Sequence, residues 1–381
     1  MAFQASKCSD KLLVISVSCK NRDTGRSKTI RSYRVLTYDS YSEDLSHIAD
    51  RRRTAIWRDQ IKILKQSGSD QEVDIHVINP FSNPSKLLTE NRDIKLVLDM
   101  VDGYLVDKPN FVKDFLRQLS RVGIREFMRN PVRFSKKISQ LCSEVDLITV
   151  GSEEQASVAR VFNPNVFAIW DCHDEFGSPR EPLGKEKVSN FNIFWEGLSV
   201  TLFHFEECMS ELREFILKTD SNLHIVTNSE HYRFGNKFFK IPTEQLIAEI
   251  FKGLESRVIF HPWSIPKVRE VASECDFGLI PLLEGDKFAR LKPENKLMIY
   301  WRFGLPTLFS DSPSYLRVSK ELGLSDFSVA KGKWGEKLSW LANDLVGQGG
   351  RISSATKMLR ENHNEKAILA KWQKAFQTLA P

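Results

Sequence analysis

Basic residues and a helix start occur together in the most informative stretch of the chain. Lys287, Arg290 and Lys292 lie in a loop that follows the apolar run FGLIP, and Pro293 stands where a helix is expected to begin. The first N–H groups of a helix have no partner within it, so helix amino termini bind anions. With Lys296 one turn further on, the stretch predicts a site for a diphosphate. A solvated basic loop is the alternative interpretation.

The elements that must position this stretch are a strand before the loop and a helix after it. The strand is expected over 277–281. The helix is expected over 293–303, because Gly304 favours a left-handed cap and Pro306 cannot continue a helix. Similar pairs of short apolar runs and longer amphipathic runs recur along the chain, which is typical of a parallel sheet covered on both faces. In such sheets a ligand binds at the carboxyl ends of the strands.

The apolar periodicity stops between residues 174 and 190, where glycine, proline and charged residues are frequent. We therefore predict an α/β fold with two doubly wound Rossmann-like domains that face a cleft. The predicted parts are an N-terminal domain over 1–173, a linker over 174–190, a C-terminal domain over 191–355 and a C-terminal helix over 356–381 that packs back on the first domain.

Length and composition set the class of protein. The 381 residues favour two domains, and a content of 41% hydrophobic and 27% charged residues excludes an intrinsically disordered chain. No apolar run is long enough to span a bilayer, and the first residues lack a secretory apolar core. The six cysteines show no metal-ligand spacing. These features predict a cytoplasmic protein with free thiols.

One segment carries the whole positive excess of the chain. Residues 108–137 contain nine basic residues against Asp114 and Glu126, a net charge of +7 compared with +6 for the chain. Apolar residues at helical spacing make the segment amphipathic, which suits an anionic membrane face or a lipid-diphosphate acceptor. An ordinary solvated helix face is the alternative. Nucleic acid is less favoured, because no nucleic-acid motif accompanies the segment.

A resemblance to a known family is carried by the runs ECDFGLIPLL and KPENKLMIYWRFGLPTLFSDSPSY. They are similar to the core of the C-terminal domain of GT-B fold glycosyltransferases, close to the large retaining, family-four-like group that uses nucleotide-sugar donors. The runs NIFWEGLSVTLFHF, VIFHPWSIPKVREVASECD and EVDLITVGSEEQASVARVFNPNVFAIWDCHD resemble further parts of the same fold. The resemblance covers most of residues 95–315.

By this resemblance the C-terminal domain binds the donor and the N-terminal domain binds the acceptor. Trp195, Glu196 and Gly197 would border the donor diphosphate, and Trp263 would stack on its nucleobase; a tight turn and a core tryptophan are the alternatives. Asp102 resembles the polar residue that faces the acceptor hydroxyl, where it would be the catalytic general base. A structural turn aspartate is the alternative for that position.

The chain departs from the family at a pair of glutamates spaced E-x7-E. The two positions are occupied here by Leu291 and Ile299. We expect Glu294 or Asn295, in the first turn of the same helix, to supply the contacts to the donor hydroxyl groups. The alternative is that Glu294 only complements the helix dipole at the surface.

The predicted function is that of a glycosyltransferase of the hexosyltransferase class in polysaccharide biosynthesis. It would move a sugar from a nucleotide-diphosphate donor to a glycan or lipid-linked acceptor. No metal and no cofactor are predicted, because the sequence has neither HExxH nor an acidic DxD and the family uses helix dipoles and basic side chains. The protein is expected in the cytoplasm, peripheral on the inner membrane face through segment 108–137. A nucleotide-sugar epimerase on the same fold and a non-catalytic scaffold are the alternatives.

Overall fold

The computed structural model describes residues 13–15, 32–42, 47–57, 72–82, 94–105, 133–182, 186, 189–233 and 239–379. The basic segment 108–137 lies outside these ranges except for its last five residues. Its docking on a membrane therefore stays a prediction.

The elements alternate as strands and helices along the chain. The strands are β1 (Leu13–Ile15), β2 (Ser32–Tyr38), β3 (Glu72–Ile78), β4 (Lys95–Met100), β5 (Leu147–Val150), β6 (Val166–Ala168), β7 (Asn192–Glu196), β8 (Asn222–Thr227), β9 (Glu230–Arg233), β10 (Phe239–Pro242), β11 (Val258–Pro262), β12 (Phe277–Ile280), β13 (Thr307–Ser310) and β14 (Ser328–Val329). The α-helices are α1 (Phe134–Glu144), α2 (Glu153–Ala159), α3 (Met209–Thr219), α4 (Thr243–Ile250), α5 (Ile265–Glu274), α6 (Lys287–Arg290), α7 (Asn295–Arg302), α8 (Pro313–Glu321), α9 (Trp334–Asn343), α10 (Leu345–Arg351), α11 (Ser353–Asn362) and α12 (Glu365–Gln377).

The chain divides into two compact units, each with its own six-stranded sheet. The N-terminal unit comprises Ala2–Cys172, Leu291–Pro293 and Glu365–Pro381, and the C-terminal unit comprises His173–Arg290 and Glu294–Asn364. Strands β2 to β6 are parallel in the first sheet, and all strands of the second sheet are parallel. The predicted α/β class with parallel sheets is confirmed.

The N-terminal sheet has the strand order β1-β2-β3-β4-β5-β6, with β1 antiparallel to β2. Alternate side chains of β4 pack on opposite faces. Val97 shares a core with Trp57 and with Trp372 of α12, whereas Leu98 shares a core with Ile138 of α1. Because both faces of the sheet are covered, the middle of β4, Leu96 to Leu98, is apolar on both sides.

Arg53 is fully buried in the N-terminal unit and is compensated by two carboxylates. Its guanidinium donates to Asp99 at 2.7–3.0 Å and to Asp171 at 3.1 Å, and it lies 5.2 Å from the ring centroid of Trp372. Thr149 donates a further hydrogen bond of 2.7 Å to Asp99. Although burial disfavours the charge, the carboxylates raise the pKa of Arg53 above its usual range. The arginine therefore stays charged in the core.

The C-terminal sheet has the strand order β11-β8-β7-β12-β13-β14. Strands β8 and β11, which follow β7 in the chain, extend the sheet to one side of it, and the later strands β12, β13 and β14 extend the sheet to the other side. The order therefore reverses between β7 and β12. The loops that leave the carboxyl ends of these two strands diverge, and ligands bind at such a switch point. The hairpin of β9 and β10 is separate from this sheet.

Helix α7 begins two residues later than expected. Glu294 is the N-cap and its carbonyl accepts the first intrahelical bond, so Pro293 precedes the cap instead of occupying the first helical position. The end of the helix follows the prediction. Gly304 has a φ of +72°, and the Leu305 N–H donates to the Tyr300 carbonyl at 3.1 Å. Only glycine adopts this backbone conformation without strain.

The stretch predicted as one helix over 356–381 contains two helices instead. They are separated at His363 and Asn364, where α11 ends the C-terminal unit and α12 enters the N-terminal unit. His363 is fully buried, and its carbonyl accepts a 2.7 Å hydrogen bond from Arg302. Helix α11 ends beside this contact, although the sequence there contains neither glycine nor proline.

The first residues of the predicted linker belong to the C-terminal unit. Arg302, almost fully buried at the end of α7, donates to the Gly177 carbonyl at 2.6 Å and lies 3.1 Å from Asp174. The Arg180 N–H donates to the Arg302 carbonyl at 2.9 Å. The sequence predicts a linker here, but the start of this segment packs against the C-terminal unit through hydrogen bonds of its backbone.

The described ranges bear on membrane spans, metal sites and the state of the cysteines. No helix there is both long and apolar enough to cross a membrane. No group of three or more His, Cys, Asp or Glu side chains there could hold a metal ion. The cysteines in these ranges are free and buried: Cys142, Cys172, Cys208 and Cys275.

His224 and His261 face each other on the neighbouring strands β8 and β11. His224 Nδ1 lies 3.1 Å from His261 Nε2, and the rings stack with centroids 5.3 Å apart. Burial lowers the pKa of both imidazoles, and His261 lowers that of His224 further. The charged groups that act on the pair are Lys267, Glu270, Glu274 and Asp276.

We expect this pair to make the fold sensitive to acid. In the unfolded chain both histidines bind protons near pH 6.5, whereas in the folded protein they do so only at lower pH. The unfolded state therefore binds more protons in that window, and the free energy of unfolding should fall as the pH drops below 6.5. His261→Gln should make this fall shallower in urea denaturation measured above and below that pH. Identical pH dependence in the variant and the wild type would contradict the assignment.

Candidate functional site

The end of β7 and the first turns of α7 form the centre of the candidate site. Trp195 is buried in β7, and the Lys296 ammonium lies 4.6 Å from the centroid of its ring. A Cβ added at Gly197 would lie 2.7 Å from Lys296 Nζ. The glycine therefore leaves room for a positive charge beside the backbone that follows the strand.

Tyr300 fixes this arrangement from one turn further along α7. Its hydroxyl accepts a 2.7 Å hydrogen bond from the Glu196 N–H, and it is fully buried. Burial raises the pKa of Tyr300 well above its ordinary value, so the hydroxyl stays protonated. The ring lies over Gly278 of β12, where any Cβ would overlap it. Strands β7 and β12 and helix α7 are thereby held together at the switch point.

Trp263 joins the carboxyl ends of three strands. It follows β11, its backbone N–H donates to the Thr227 carbonyl of β8 at 2.9 Å, and its Nε1–H donates to Glu196 Oε1 of β7 at 2.9 Å. The indole is half-buried, so part of its surface remains accessible. The Glu196 carboxylate is largely buried and can accept further hydrogen bonds, since a carboxylate offers about four acceptor positions.

Glu294 is only 1% exposed, and its Oε1 accepts a 2.7 Å hydrogen bond from Arg317 of α8. This burial excludes the alternative in which Glu294 is a surface residue that complements the helix dipole. Asn295, the first residue of α7, is half-buried beside it. Ile299, where the family has its second glutamate, is buried in the core. The expectation that Glu294 or Asn295 contacts a donor hydroxyl stays a prediction.

The loop after β12 is anchored at its start. The Leu282 N–H donates to Ser310 Oγ at 2.9 Å, and the Leu283 N–H donates to His204 Nδ1 at 3.1 Å. Lys287 and Arg290 follow on the short helix α6, with Lys287 exposed and Arg290 half-buried.

Asp102 and Lys292 lie together in the N-terminal unit. Lys292 Nζ is 3.7 Å from Asp102 Oδ1, and both side chains are more than 30% exposed. Asp102 follows β4, and a turn there is closed by the Tyr104 N–H, which donates to the Asp102 carbonyl at 2.8 Å. Gln155 Nε2 donates to the Leu291 carbonyl at 3.2 Å, which holds the backbone next to Lys292.

Within the C-terminal unit the structure brings together four of the residues that the sequence singles out: Trp195, Glu196, Gly197 and Lys296. A fifth, Trp263, donates a hydrogen bond to Glu196. Sequence reasoning missed Tyr300. Its position one turn after Lys296 on the buried face of α7 was visible, but the acceptor role of its hydroxyl depends on a strand about a hundred residues earlier in the chain.

Comparison with known proteins agrees with this topology. The chain is similar to the crystal structure of TarM, with 13% sequence identity, a TM-score of 0.56, and coverage of 94% of this chain and 63% of TarM. It is also similar to the pneumococcal O-GlcNAc transferase GtfA in complex with UDP and GlcNAc, with 14% identity, a TM-score of 0.51, and coverage of 81% of this chain and 57% of GtfA.

A third similar structure is a mutant of S. aureus TarM in complex with fondaparinux, α-GlcNAc-glycerol and UDP, with 12% identity, a TM-score of 0.51, and coverage of 94% of this chain and 64% of that one. The chain thus spans less than two thirds of the length of these proteins. No protein-family model matches the sequence, and no curated protein is similar to it in sequence. The chain has the GT-B fold, which confirms at the level of the fold the resemblance found in the sequence.

Tyr300→Phe tests whether the hydroxyl holds the switch point together. The substitution keeps the ring over Gly278 but leaves the buried Glu196 N–H without its acceptor. We expect the free energy of unfolding to fall by about 1–3 kcal/mol, as for other unsatisfied buried donors. Urea denaturation checks the value. An unchanged stability would show that the hydroxyl does not hold the strand.

Proposed function

We propose that this chain is a glycosyltransferase in which the C-terminal unit binds a nucleotide-diphosphate sugar and the N-terminal unit binds the acceptor. The observation that carries the proposal is the switch point of the C-terminal sheet. There a bare glycine backbone and the Lys296 ammonium meet at the end of β7, beside the amino terminus of α7. A diphosphate fits such a combination, because its charge and its many acceptor oxygens match both groups.

The remaining groups of the site suit the other parts of the donor. The half-buried Trp263 offers an indole face to a nucleobase, and its Nε1–H bond to Glu196 keeps the ring in place. Glu196 can accept a hydrogen bond from a ribose hydroxyl. Arg290 and Lys292 are proposed to add positive charge at the diphosphate. Asn295 and Glu294 are proposed to contact the sugar, with Arg317 orienting the glutamate.

The solved structures of similar fold support this class of ligand. The TarM mutant is in complex with UDP and α-GlcNAc-glycerol, and the O-GlcNAc transferase GtfA is in complex with UDP and GlcNAc. Both share the fold with this chain. Since the chain spans less than two thirds of those proteins and is at most 14% identical to them, the activity rests on the site of this chain.

Asp102 is proposed as the group that accepts the proton of the acceptor hydroxyl. The hydroxyl oxygen forms a bond to the anomeric carbon while the bond from that carbon to the diphosphate oxygen breaks. Asp102 takes the proton, and Lys296 stabilises the charge of the departing diphosphate. The residues of the site supply the positive charge that this step needs, so we propose that the reaction requires no metal ion.

The proposed acceptor is a glycan or a lipid-linked glycan of a surface polysaccharide. A lipid-linked acceptor would explain the net charge of +7 over 108–137, because basic amphipathic segments bind anionic membrane surfaces. Under this proposal the protein acts at the cytoplasmic face of the membrane.

Binding of a nucleoside diphosphate tests the donor site. We expect UDP, or another diphosphate of a nucleoside panel, to raise the Tm of the protein. Lys296→Met should abolish the shift, because it removes the charge beside Gly197. Gly197→Ala should weaken binding by displacing the lysine end, and it should also lower the Tm of the free protein, because the added Cβ would lie 3.0 Å from the buried Trp195 ring. Lys218→Met, which removes an exposed lysine in the last turn of α3 of the same unit, is the matched control and should keep the shift. No shift with any diphosphate in the wild type would refute the donor site.

Asp102→Asn tests the proposed proton acceptor. The variant should bind the nucleoside diphosphate like the wild type but transfer sugar about 10²–10⁴-fold more slowly, the usual contribution of a general base. Release of nucleoside diphosphate from a sugar-nucleotide panel in the presence of glycan acceptors measures this. Glu153→Gln, which removes an exposed carboxylate of the same unit, should transfer normally. Full activity in Asp102→Asn would show that Asp102 is not the proton acceptor and has only a structural role in the turn.

A further inference from the structure

Four aromatic rings meet at the carboxyl edge of the N-terminal sheet. They follow β2, β3 and β4 and include the first residue of α1. Phe81 stacks on Phe134 with ring centroids 5.7 Å apart and an interplanar angle of 27°. The Tyr41 and Tyr104 rings are nearly perpendicular to the Phe81 ring, with centroid distances of 6.1 and 5.9 Å. We call these four residues the aromatic platform.

Phe81 is the exposed member of the platform. Phe134 beneath it is 1% exposed, whereas Phe81 itself is 46% exposed. One face of the Phe81 ring is stacked on Phe134, and almost half of the residue is still accessible to a ligand. The platform thus presents a flat aromatic surface at the sheet edge where ligands bind in parallel α/β proteins.

A tight turn holds Phe81 in this position. The Phe81 N–H donates to Asn79 Oδ1 at 2.8 Å, and the Asn79 N–H donates to Ser82 Oγ at 3.0 Å. Asn79 Nδ2 donates in turn to the Asp39 carbonyl after β2 at 3.0 Å. Asn79 and Ser82 are both buried. The exposed ring is therefore preordered, which lowers the entropic cost of binding a ligand on it.

Polar groups surround the platform. His47 stacks on Tyr41 with centroids 4.7 Å apart, and its Nδ1 accepts the Ala49 N–H at 3.2 Å. The proton of the neutral ring is then on Nε2, which can donate to a ligand. Burial lowers the pKa of His47, although Asp50 and Asp102 partly oppose this, so the ring is neutral at pH 7. Asp102 lies two residues before Tyr104 and supplies a partly exposed acceptor.

The combination selects one class of ligand. A pyranose has one face of C–H groups, which carry partial positive charge and match the negative face of an aromatic ring. Its hydroxyl groups match a carboxylate acceptor and an imidazole donor. A lipid chain would favour a continuous apolar groove without this polar rim. A single exposed phenylalanine is common on protein surfaces and indicates no function. The Phe81 ring is instead preordered and packed against three other rings, one of which, Tyr104, lies two residues after Asp102, and this combination indicates a binding surface.

We propose that the aromatic platform binds the acceptor as a pyranose ring stacked on Phe81, with its hydroxyl groups between His47 and Asp102. This inference rests on the proposed function for the role of the sugar as acceptor. The stacking itself requires neither nucleotide nor catalysis, so it can be tested without them.

Saturation-transfer NMR with the full chain and no nucleotide tests the stacking. The probes are methyl glycosides of glucose, galactose, mannose and N-acetylglucosamine, short glucose and N-acetylglucosamine oligosaccharides, and octanol as a lipid-chain probe. We expect at least one sugar to receive saturation mainly on the C–H groups of one ring face. Phe81→Ala should weaken its binding roughly five- to tenfold, the size of an aromatic contact. Phe81→Trp should keep it.

Phe162→Ala is the matched control, because Phe162 is a 37% exposed phenylalanine of the same unit outside the platform. It should bind the sugar like the wild type. Near-ultraviolet circular dichroism and Tm show whether Phe81→Ala keeps the fold. If it does not, Phe81→Leu is used in its place, because it removes the ring but keeps an apolar side chain. Binding of octanol with no sugar bound, equal sugar affinity in Phe81→Ala, or an equal loss in Phe162→Ala would overturn the proposal.

The two proposals fail separately. If the sugar binds on Phe81 but no diphosphate shifts the Tm, the platform stands and the donor site falls. If diphosphates bind through Lys296 but no sugar stacks on Phe81, the donor site is supported and the sugar-binding role of the platform is refuted. Where both bind, Phe81→Ala should raise the KM for the acceptor in the transfer assay while leaving the KM for the donor and hydrolysis of the donor by water unchanged.

Discussion

The hydroxyl of Tyr300 accepts the N–H of Glu196 at the point where the strand order of the C-terminal sheet reverses. This bond joins the strand that carries Trp195 and is followed by Gly197 to the helix that carries Lys296. The ring can reach the strand only because residue 278 has no Cβ. The next strand begins at Thr307, soon after the left-handed turn at Gly304. The geometry of the candidate site thus depends on one phenol hydroxyl and on the space left for its ring.

Each unit also contains a buried arginine that organises backbone segments far apart in the chain. Arg53 links the end of β4 to the loop after β6 through Asp99 and Asp171. Arg302 links α7 to segments near Gly177 and His363. A guanidinium has five donors in a fixed plane, so it can serve several acceptors at once. Loss of one acceptor would leave a buried charge poorly compensated, which is why such networks tolerate few substitutions.

The parts of the fold that depend on local pattern could be predicted from the sequence. The apolar run over 277–281 predicted β12, and the glycine after α7 predicted the end of that helix. Contacts between distant residues could not be predicted. Glu294 reads as an exposed helix-start residue, yet Arg317 from the next helix makes it a buried ion pair. The break at His363 lies beside its hydrogen bond with Arg302, and the packing of Phe81 involves rings contributed by three other segments. No periodicity in the sequence encodes these contacts.

The placement of α12 has a consequence for synthesis on the ribosome. Its residues Ile368, Trp372 and Phe376 belong to the same core as Trp57 and Ile75, near the other end of the chain. One face of the first sheet therefore stays only partly covered until about 300 further residues have been translated, whereas the C-terminal unit can close as soon as Asn364 emerges. The unit that is made first is thus completed last, and the exposed part of its apolar face is a natural substrate for chaperones during translation.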